Sequence, residues 1–387
     1  MALDQDTLDQ FLDTIRRFVR ERLIPAEAQV DATDKIPDAI ISEMKQMGLF
    51  GLTIPEVYGG LGLSMTEEIR VAYEIMHAAP AFRSAFGTNV AIGSQGILID
   101  GTEEQKKAYL PRLASGEMIS SFALTEPDIG SDAASVKTRA ARDGNGYVLN
   151  GTKRFITNAP VADLFTVMAR TNPDEKGAKG VSAFLVEADM PGIRLGKPEN
   201  KMGQKGAHIC DVIFEDCRVP ADAIIGGVEG QGFKTAMKVL DKGRLHIGAC
   251  CCGLADRLIQ ESLDYAIDRQ QFGQAIAEFQ LVQAMLADSQ TEHDVGWALV
   301  RDAAGRYEAG EKLPRVAAEA KYYCSEMLGR VADRAVQIHG GAGYINDTAV
   351  SRLYRDVRIY RLYEGTSQIQ QLVIARDMIR RAREARS

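Results

Sequence analysis

The feature that most constrains the fold is a change of sequence texture that occurs twice along the chain. Up to about residue 120, apolar residues such as Leu8, Leu12 and Ile15 recur every three or four positions, which is typical of amphipathic helices. The pattern then changes to short β-rich runs separated by turn residues. Helical spacing returns after Glu229-Gly230-Gln231-Gly232 and continues onward. The sequence therefore predicts three units in the order α, β, α.

The three units have boundaries that can be placed from these changes, at residues 1–120, 121–230 and 231–387. In the first unit, Pro25 is predicted to end the first helix. In the second, runs such as Leu164-Phe165-Thr166-Val167-Met168-Ala169 predict a small antiparallel barrel or sandwich. A chain of 387 residues with 45% hydrophobic content is long enough to bury cores of this size.

The acidic balance of the chain limits the partners that it can bind. A net charge of -7 and a pI near 5.5 argue against nucleic acid as the main partner, because phosphate binding requires clustered Lys and Arg. No run approaches the roughly 18 to 20 apolar residues of a membrane span, and the N-terminal segment is acidic where a secretory signal would be basic. We therefore predict a cytoplasmic protein that binds neither nucleic acid nor membrane.

The cysteine and histidine residues predict neither a disulfide framework nor a metal site. The six cysteines show no CxxC spacing. The three consecutive ones, Cys250 to Cys252, would point about 100° apart on a helix and cannot converge on one ion. The five histidines form no i,i+4 pair and adjoin no obvious nucleophile motif. We therefore expect reduced, buried cysteines and no metal.

A carboxylate in a tight turn is the candidate for chemistry. The segment Tyr363 to Gln370 places Glu364 between two apolar, helix-compatible stretches. Gly365 removes side-chain bulk, so a substrate carbonyl can approach the main chain beside the carboxylate, and Thr366 is placed to cap the following helix. A glutamate in such a turn is also typical of a solvated or capping residue, so this segment alone leaves both interpretations open.

Four further motifs accompany this turn in a fixed order: Leu124-Thr125-Glu126-Pro127-Asp128-Ile129-Gly130-Ser131-Asp132, Phe155-Ile156-Thr157-Asn158, Arg269-Gln270-Gln271-Phe272-Gly273 and Gln337-Ile338-His339-Gly340-Gly341-Ala342-Gly343-Tyr344. Together the five blocks resemble the acyl-CoA dehydrogenase flavoprotein family, over about residues 5 to 380. The resemblance implies an α+β multidomain fold, with an N-terminal α-helical domain, a middle β-barrel or sandwich and a C-terminal four-helix bundle. It also implies a homotetramer that is a dimer of dimers, FAD as cofactor, an acyl-CoA substrate from fatty acid or organic acid catabolism, and electron-transfer flavoprotein as acceptor.

The catalytic role of Glu364 follows from the resemblance. Glu364 is expected to take the α-proton of the thioester while the β-hydrogen leaves as hydride to the flavin. Its main-chain N–H and a ribityl hydroxyl of FAD are expected to bind the thioester oxygen. Burial under the acyl chain should raise the pKa of Glu364 and make it a stronger base. Some family members carry the base at the position of Gly243, where a glycine cannot serve, so Glu364 is the sole candidate.

Positions that match the family's motifs predict the residues that contact FAD. They are Phe122, Leu124, Thr125, Ser131, Phe155, Thr157, Arg269, Phe272, Gln337, Gly341, Thr366 and Gln368. Thr157 is expected to donate toward flavin N5, and Arg269 to bind the pyrophosphate of an FAD held mainly by a neighbouring subunit. Phe155 stands where the commonest pattern has Trp, so an aromatic face is kept but the indole N–H is lost. No Rossmann fingerprint is present.

The predicted substrate contacts leave two substrate classes open. They are Arg83, Ser84, Ser131, Asp241, Arg244, Tyr363 and Gly365. The block around Arg83-Ser84 resembles that of glutaryl-CoA dehydrogenases, whose Arg-Ser pair contacts the distal carboxylate, which favours an ω-carboxylated acyl-CoA. The segment Tyr363 to Gln370 instead resembles straight-chain short- and medium-chain members. Asp241 and Arg244 also fit a structural ion pair one helical turn apart.

Two other functions remain compatible with the sequence. An oxygen-using acyl-CoA oxidase or monooxygenase of the same fold is favoured by the missing indole at Phe155 and opposed by the intact Glu364 turn. A non-catalytic flavin-binding or nucleic-acid-binding relative would need a basic face, which a pI near 5.5 does not indicate.

Overall fold

The N-terminal part of the chain is helical in the computed structural model, which describes residues 4–311 and 314–386. Its α-helices are α1 Gln5–Phe18, α2 Ile24–Thr33, α3 Asp38–Gln46, α4 Met65–Ile75, α5 Pro80–Gly87, α6 Gln95–Asp100 and α7 Glu103–Ser115. Leu8, Leu12 and Ile15 are buried along one face of α1, as their spacing predicts.

Pro25 does not end the first helix, contrary to the sequence prediction. A π-helical turn, Val19–Leu23, joins α1 to α2, and Pro25 lies in the first turn of α2. Proline is tolerated there because the N–H groups of a first turn have no partner within their own helix. The chain therefore stays helical as far as Thr33.

The middle part forms a curled seven-stranded sheet. Its strands are β1 Ser120–Ala123, β2 Arg139–Asp143, β3 Gly146–Thr157, β4 Leu164–Arg170, β5 Val181–Glu187, β6 Ile193–Leu195 and β7 Ile209–Pro220. Antiparallel pairs join β2 to β3, β3 to β7, β6 to β7 and β4 to β5. β1 and β4 pair in parallel, which the strand patterns do not reveal. Register shifts between β3 and β7 bend the sheet.

Five α-helices of the described chain follow the sheet: α8 Gly232–Asp268, α9 Gln280–Glu308, α10 Pro314–His339, α11 Ala349–Val357 and α12 Ser367–Glu384. α10 packs against α8, α9 and α12 to form the helical bundle. A short hairpin of β8 Gln270–Gln271 and β9 Gln274–Ala275 separates α8 from α9. The predicted α, β, α fold class is confirmed. No helix among the described residues combines the length and apolar character needed to cross a membrane.

The packing of α4 on α8 joins the first and last parts of the chain. Met65, Ile69 and Met76 of the N-terminal part share a buried cluster with Leu245 and Leu254 of α8. Side chains of α4 therefore lie next to α8 close to its midpoint, and Arg83 of α5 reaches the same part of α8 at His246, where the candidate site is built.

Candidate active site

The turn that carries Glu364 has an uncommon backbone conformation. Glu364 has a φ of +52°, which residues other than glycine rarely adopt, and Gly365 follows with a φ of +91°. The Thr366 hydroxyl accepts a hydrogen bond from the Ile369 N–H at 3.2 Å, so the predicted N-cap of α12 is confirmed. Two left-handed residues in succession need external contacts to hold them.

Two buried side chains supply those contacts. Lys321 on α10 donates from Nζ to the Gly365 carbonyl at 2.7 Å. Gln370 on α12 donates from Nε2 to the Glu364 carbonyl at 3.1 Å and to the Gly365 carbonyl at 3.0 Å. A Cβ on Gly365 would lie 2.5 Å from Gln370 Nε2, so this position requires glycine. The two peptide groups that follow Glu364, which carry the Glu364 and Gly365 carbonyls, are thereby fixed.

The Glu364 carboxylate is electrostatically unusual. Its Oε2 atom is buried and has no hydrogen-bond partner among the described residues. Burial raises the pKa of Glu364, and the charges of Arg83 and Lys321 offset this only in part. The raised pKa expected from the sequence is confirmed in direction. A carboxylate with free lone pairs and a raised pKa is suited to accept a proton.

Helix α8 passes beside this carboxylate at Gly243. A Cβ on Gly243 would lie only 2.6 Å from Glu364 Oε2, which is closer than a Cβ approaches an oxygen. Gly243, which the sequence resemblance marks as an alternative place for the base, is therefore adjacent to Glu364. The missing side chain leaves the space that the Glu364 carboxylate occupies.

Arg83 lies next to this turn and is 8% exposed. Its Nε donates to His246 Nε2 at 3.0 Å, and it forms no ion pair with any described carboxylate. Gly87, one turn further along α5, leaves room for the guanidinium, because a Cβ there would lie 2.8 Å from Arg83 Cζ. The Ser84 hydroxyl donates to the Pro80 carbonyl at 3.1 Å, so its proton is used inside α5.

Asp241 and Arg244 form the ion pair that their spacing allows, with Arg244 Nη1 2.7 Å from Asp241 Oδ1. Arg244 is buried, and its Nε has no partner among the residues described. Its charge also acts on Glu364. Tyr363 packs edge-on against Tyr360, with ring centroids 5.2 Å apart. Arg244 and Tyr363 lie close enough to the Glu364 carboxylate to interact with it electrostatically. The contact of Asp241, Arg244 and Tyr363 with substrate stays a prediction.

The structure brings the two predicted flavin segments of the sheet together. The Ser121 hydroxyl donates to the Thr157 carbonyl at 2.6 Å, and the Arg154 N–H donates to the Thr125 carbonyl at 2.8 Å. Beneath them, Lys153 Nζ donates to the Leu124 carbonyl at 3.1 Å. β1 and β3 therefore present their ends as one surface.

This surface has the features that a flavin needs. Phe122 and Leu124 are buried, whereas Thr125 and Thr157 are partly exposed and Ser131 is exposed. Phe155 has a φ of +57° and is 52% exposed, with the Arg154 guanidinium 5.0 Å from its ring. An exposed aromatic ring beside hydroxyl groups that have no partner among the described residues is typical of a ligand-binding surface. The residues present therefore fit FAD.

Four other predicted cofactor positions lie at another end of the bundle. Arg269 and Phe272 are exposed on the β8–β9 hairpin, Phe272 at 93%. Gln337 and Gly341 are exposed near the end of α10, which Tyr265 and His339 tie to the end of α8 by stacking at 4.2 Å. The described contacts do not join these positions to the Glu364 turn. Thr366 and Gln368 begin α12, and Gln368 is exposed.

Comparison with known proteins identifies the family. The models of the N-terminal, middle and C-terminal domains of acyl-CoA dehydrogenases match residues 5–117, 121–217 and 230–379. The chain belongs to the acyl-CoA dehydrogenase family. It is accordingly an FAD-dependent enzyme that acts on acyl-CoA thioesters.

Relatives of this family member include enzymes with different substrates. The acryloyl-CoA reductase (NADH) of Anaerotignum propionicum is 42% identical over 95% of this chain and 93% of its own. The butyryl-CoA dehydrogenase of Megasphaera elsdenii is 33% identical, with a TM-score of 0.93 over 98% of this chain and all (100%) of the other. The glutaryl-CoA dehydrogenase of Mycobacterium smegmatis is 30% identical, with a TM-score of 0.90 over 97% of this chain and 95% of the other.

Several residues of the site were not predicted from the sequence. Lys321 and Gln370 have no exposed surface, although their residue types and helical positions are typical of solvated side chains. His246 was expected only to be a buried or surface histidine. The signal that could have marked Lys321 is its helical spacing from Ala317, Cys324 and Leu328, which places it on the buried face of α10.

Proposed function

We propose that this enzyme removes the α-proton and the β-hydrogen of an acyl-CoA thioester to form a trans-2-enoyl-CoA, with Glu364 as the base. The observation that carries the proposal is the Glu364 carboxylate, whose buried Oε2 has no partner among the described residues. Burial raises its pKa, so it accepts a proton at an apolar substrate more readily than an exposed carboxylate does. FAD, when bound, supplies the acceptor for the β-hydrogen as hydride.

The main chain of the same turn supplies the second requirement. Removal of an α-proton builds negative charge on the thioester oxygen, and a fixed N–H donor stabilises that charge. The Glu364 N–H belongs to a turn whose carbonyl groups are held by Lys321 and Gln370. We assign this N–H to the thioester oxygen. The donor therefore needs little rearrangement during the reaction.

We further propose that the acyl chain ends in an anionic group, such as an ω-carboxylate, bound by Arg83. A buried guanidinium without an anion is costly, and Arg83 forms no ion pair among the described residues. Its charge acts on Glu364, which sets it close to the acyl end of the site. The similarity to a glutaryl-CoA dehydrogenase is consistent with this substrate class.

The reaction is tested by anaerobic bleaching of the flavin with matched pairs of acyl-CoA substrates. Adipoyl-CoA is paired with hexanoyl-CoA, and suberyl-CoA with octanoyl-CoA, so that each pair differs only at the distal end. We expect bleaching by both members and a higher kcat/KM for the dicarboxylyl member. A panel that leaves the flavin oxidised would contradict the reaction. Peroxide formation that matches turnover in air would instead support an oxidase.

Arg83→Met tests the anionic end separately. The substitution keeps an unbranched side chain and removes the charge, so the preference within each pair should invert in favour of the alkyl substrate. Arg257→Met is the matched control, because Arg257 is an equally buried arginine that already pairs with Glu261 at 2.6 Å. If the wild type prefers alkyl substrates and Arg83→Met changes only the thermal stability, Arg83 is structural.

The electron acceptor and the assembly are also proposed. We infer that electrons pass to electron-transfer flavoprotein and that the chain forms a homotetramer. The support for assembly is the exposure of apolar residues on the bundle, including Phe272 at 93%, Leu281 at 81% and Met378 at 54%. We expect light scattering to give the mass of four chains. Reduction of purified electron-transfer flavoprotein by the substrate-reduced enzyme tests the acceptor.

A further inference from the structure

A row of buried polar side chains runs between α8 and the N-terminal helices α4 and α5, and ends at Arg83. Lys242 of α8 lies 3.2 Å from Glu68 Oε2 of α4, and Glu68 Oε1 lies 2.8 Å from His246 Nδ1. His246 Nε2 in turn accepts from Arg83 Nε at 3.0 Å. Glu68 and His246 are each 1% exposed. The row contains two cations and one carboxylate, so one positive charge lacks a partner within it.

The hydrogen bonds define the state of the histidine. Burial lowers the pKa of His246, whereas Cys250 and Glu68 raise it to about 9, which favours the charged ring. The contact with Arg83 decides for the neutral form: because Arg83 can only donate, His246 Nε2 must carry a lone pair in this arrangement, and the proton lies on Nδ1, where it is donated to Glu68. The neutral imidazole therefore accepts from the cation and donates to the carboxylate. It holds the two charged groups apart by the width of a ring.

The separation has a chemical consequence. A carboxylate and a guanidinium that are both buried pair directly when they can reach each other, since each otherwise lacks a counter-ion. Direct pairing with Glu68 would neutralise Arg83 and turn its planar fork away from any ligand. With His246 between them, Glu68 keeps Lys242 as its ion-pair partner. The Nη1 and Nη2 groups of Arg83 make no hydrogen bond to the described residues.

We propose that His246 is a specificity-determining residue, which keeps Glu68 from pairing with Arg83 and so preserves Arg83 as the receptor for the anionic end of the substrate. The proposal rests on the proposed substrate class. His246 acts through Arg83 and is a positioning residue. Removal of His246 changes the choice between substrates, because Glu68 then pairs with Arg83 and occupies the anion site from within the protein.

The test measures the ratio of kcat/KM for the dicarboxylyl substrate to that for the alkyl substrate of equal length, in flavin-loaded enzyme. His246→Ala, which opens the path between the two charges, should lower the ratio by roughly tenfold or more. His246→Asn keeps a donor for Glu68 but loses the acceptor for Arg83, and should lower the ratio as well. His246→Gln, which can span both groups, should stay within about threefold of the wild type.

A double variant separates this role from a merely structural one. Glu68→Gln combined with His246→Ala removes the competing carboxylate, so the ratio should return to within about threefold of the wild type. His77→Gln, at a histidine paired with Asp256 at 2.8 Å, is the control and should leave the ratio unchanged.

The outcomes distinguish the inference from the function on which it rests. A wild-type enzyme without preference for the dicarboxylyl substrate overturns the substrate class. A wild-type preference that persists in His246→Ala and His246→Asn overturns the role of His246 alone. A ratio that falls in His246→Ala and does not recover in the double variant overturns the spacer mechanism.

Discussion

Replacing Glu364 by Gln should slow flavin reduction by several orders of magnitude while making the folded protein more stable. Glutamine keeps the shape of the side chain but cannot accept the α-proton. A positioned general base contributes about 10²- to 10⁴-fold, so we expect the rate of flavin reduction to fall by about 10³-fold or more. The bonds from Lys321 and Gln370 go to main-chain carbonyl groups, so the turn itself should persist.

The stability change follows from the unpartnered carboxylate. Because the folded-state pKa of Glu364 is raised, its contribution to stability is fully present below the unfolded pKa and is lost as the pH rises through the folded value. The Gln variant does not ionise at this position, so its stability does not fall in this way as the pH rises. Removal of a buried, unsatisfied charged oxygen should therefore raise the free energy of unfolding at neutral pH by about 1 kcal/mol.

The fall in the rate of flavin reduction is measured by anaerobic stopped-flow absorbance of the flavin at saturating substrate. The gain in stability is measured by thermal unfolding at mildly acidic and at neutral pH. The difference in stability between the Gln variant and the wild type should be larger at neutral pH. Glu104→Gln, which removes an exposed carboxylate of α7, is the control for loss of a charge. A Glu364→Gln enzyme that retains more than about a tenth of the wild-type rate would refute the assignment of the base.

Three further predictions concern the surroundings of the site. Gly243→Ala should slow flavin reduction by about tenfold, because its Cβ would lie 2.6 Å from the catalytic carboxylate and displace it. Gly305→Ala, in open space on α9, is the control and should only add about 1 kcal/mol of helix stability. Arg269→Ala should lose flavin and loosen the oligomer together, as measured by flavin content and light scattering; full flavin occupancy would contradict the cross-subunit contact. Lys153→Met should lower the free energy of unfolding by about 3 to 5 kcal/mol, because buried Glu126 loses its ion-pair partner at 2.8 Å and keeps only its hydrogen bonds from main-chain N–H groups. Denaturant unfolding with unchanged stability would disprove this.

The local features of the chain were predictable from the sequence. Periodicity is a property of neighbouring residues, so the order α, β, α and the face of α1 follow from it. The Glu364 turn is likewise local, because Gly365 and the capping Thr366 adjoin the carboxylate. Pro25 misled the prediction, since a proline in a first turn and one that ends a helix look alike in sequence.

The electrostatic character of the site was decided by tertiary structure. Arg83 and His246 are 163 residues apart in sequence, and Lys321 and Gly365 are 44 apart. Whether a lysine or histidine becomes a buried partner depends on which helices pack together, here α4 on α8 and α10 on α12, and on Arg83 of α5 reaching His246 of α8. The burial that raises the pKa of Glu364 comes from the same packing. Sequence thus determined which residue carries the carboxylate, and only the packing of distant helices determined its charge environment, because desolvation and Coulomb interactions depend on distance in space.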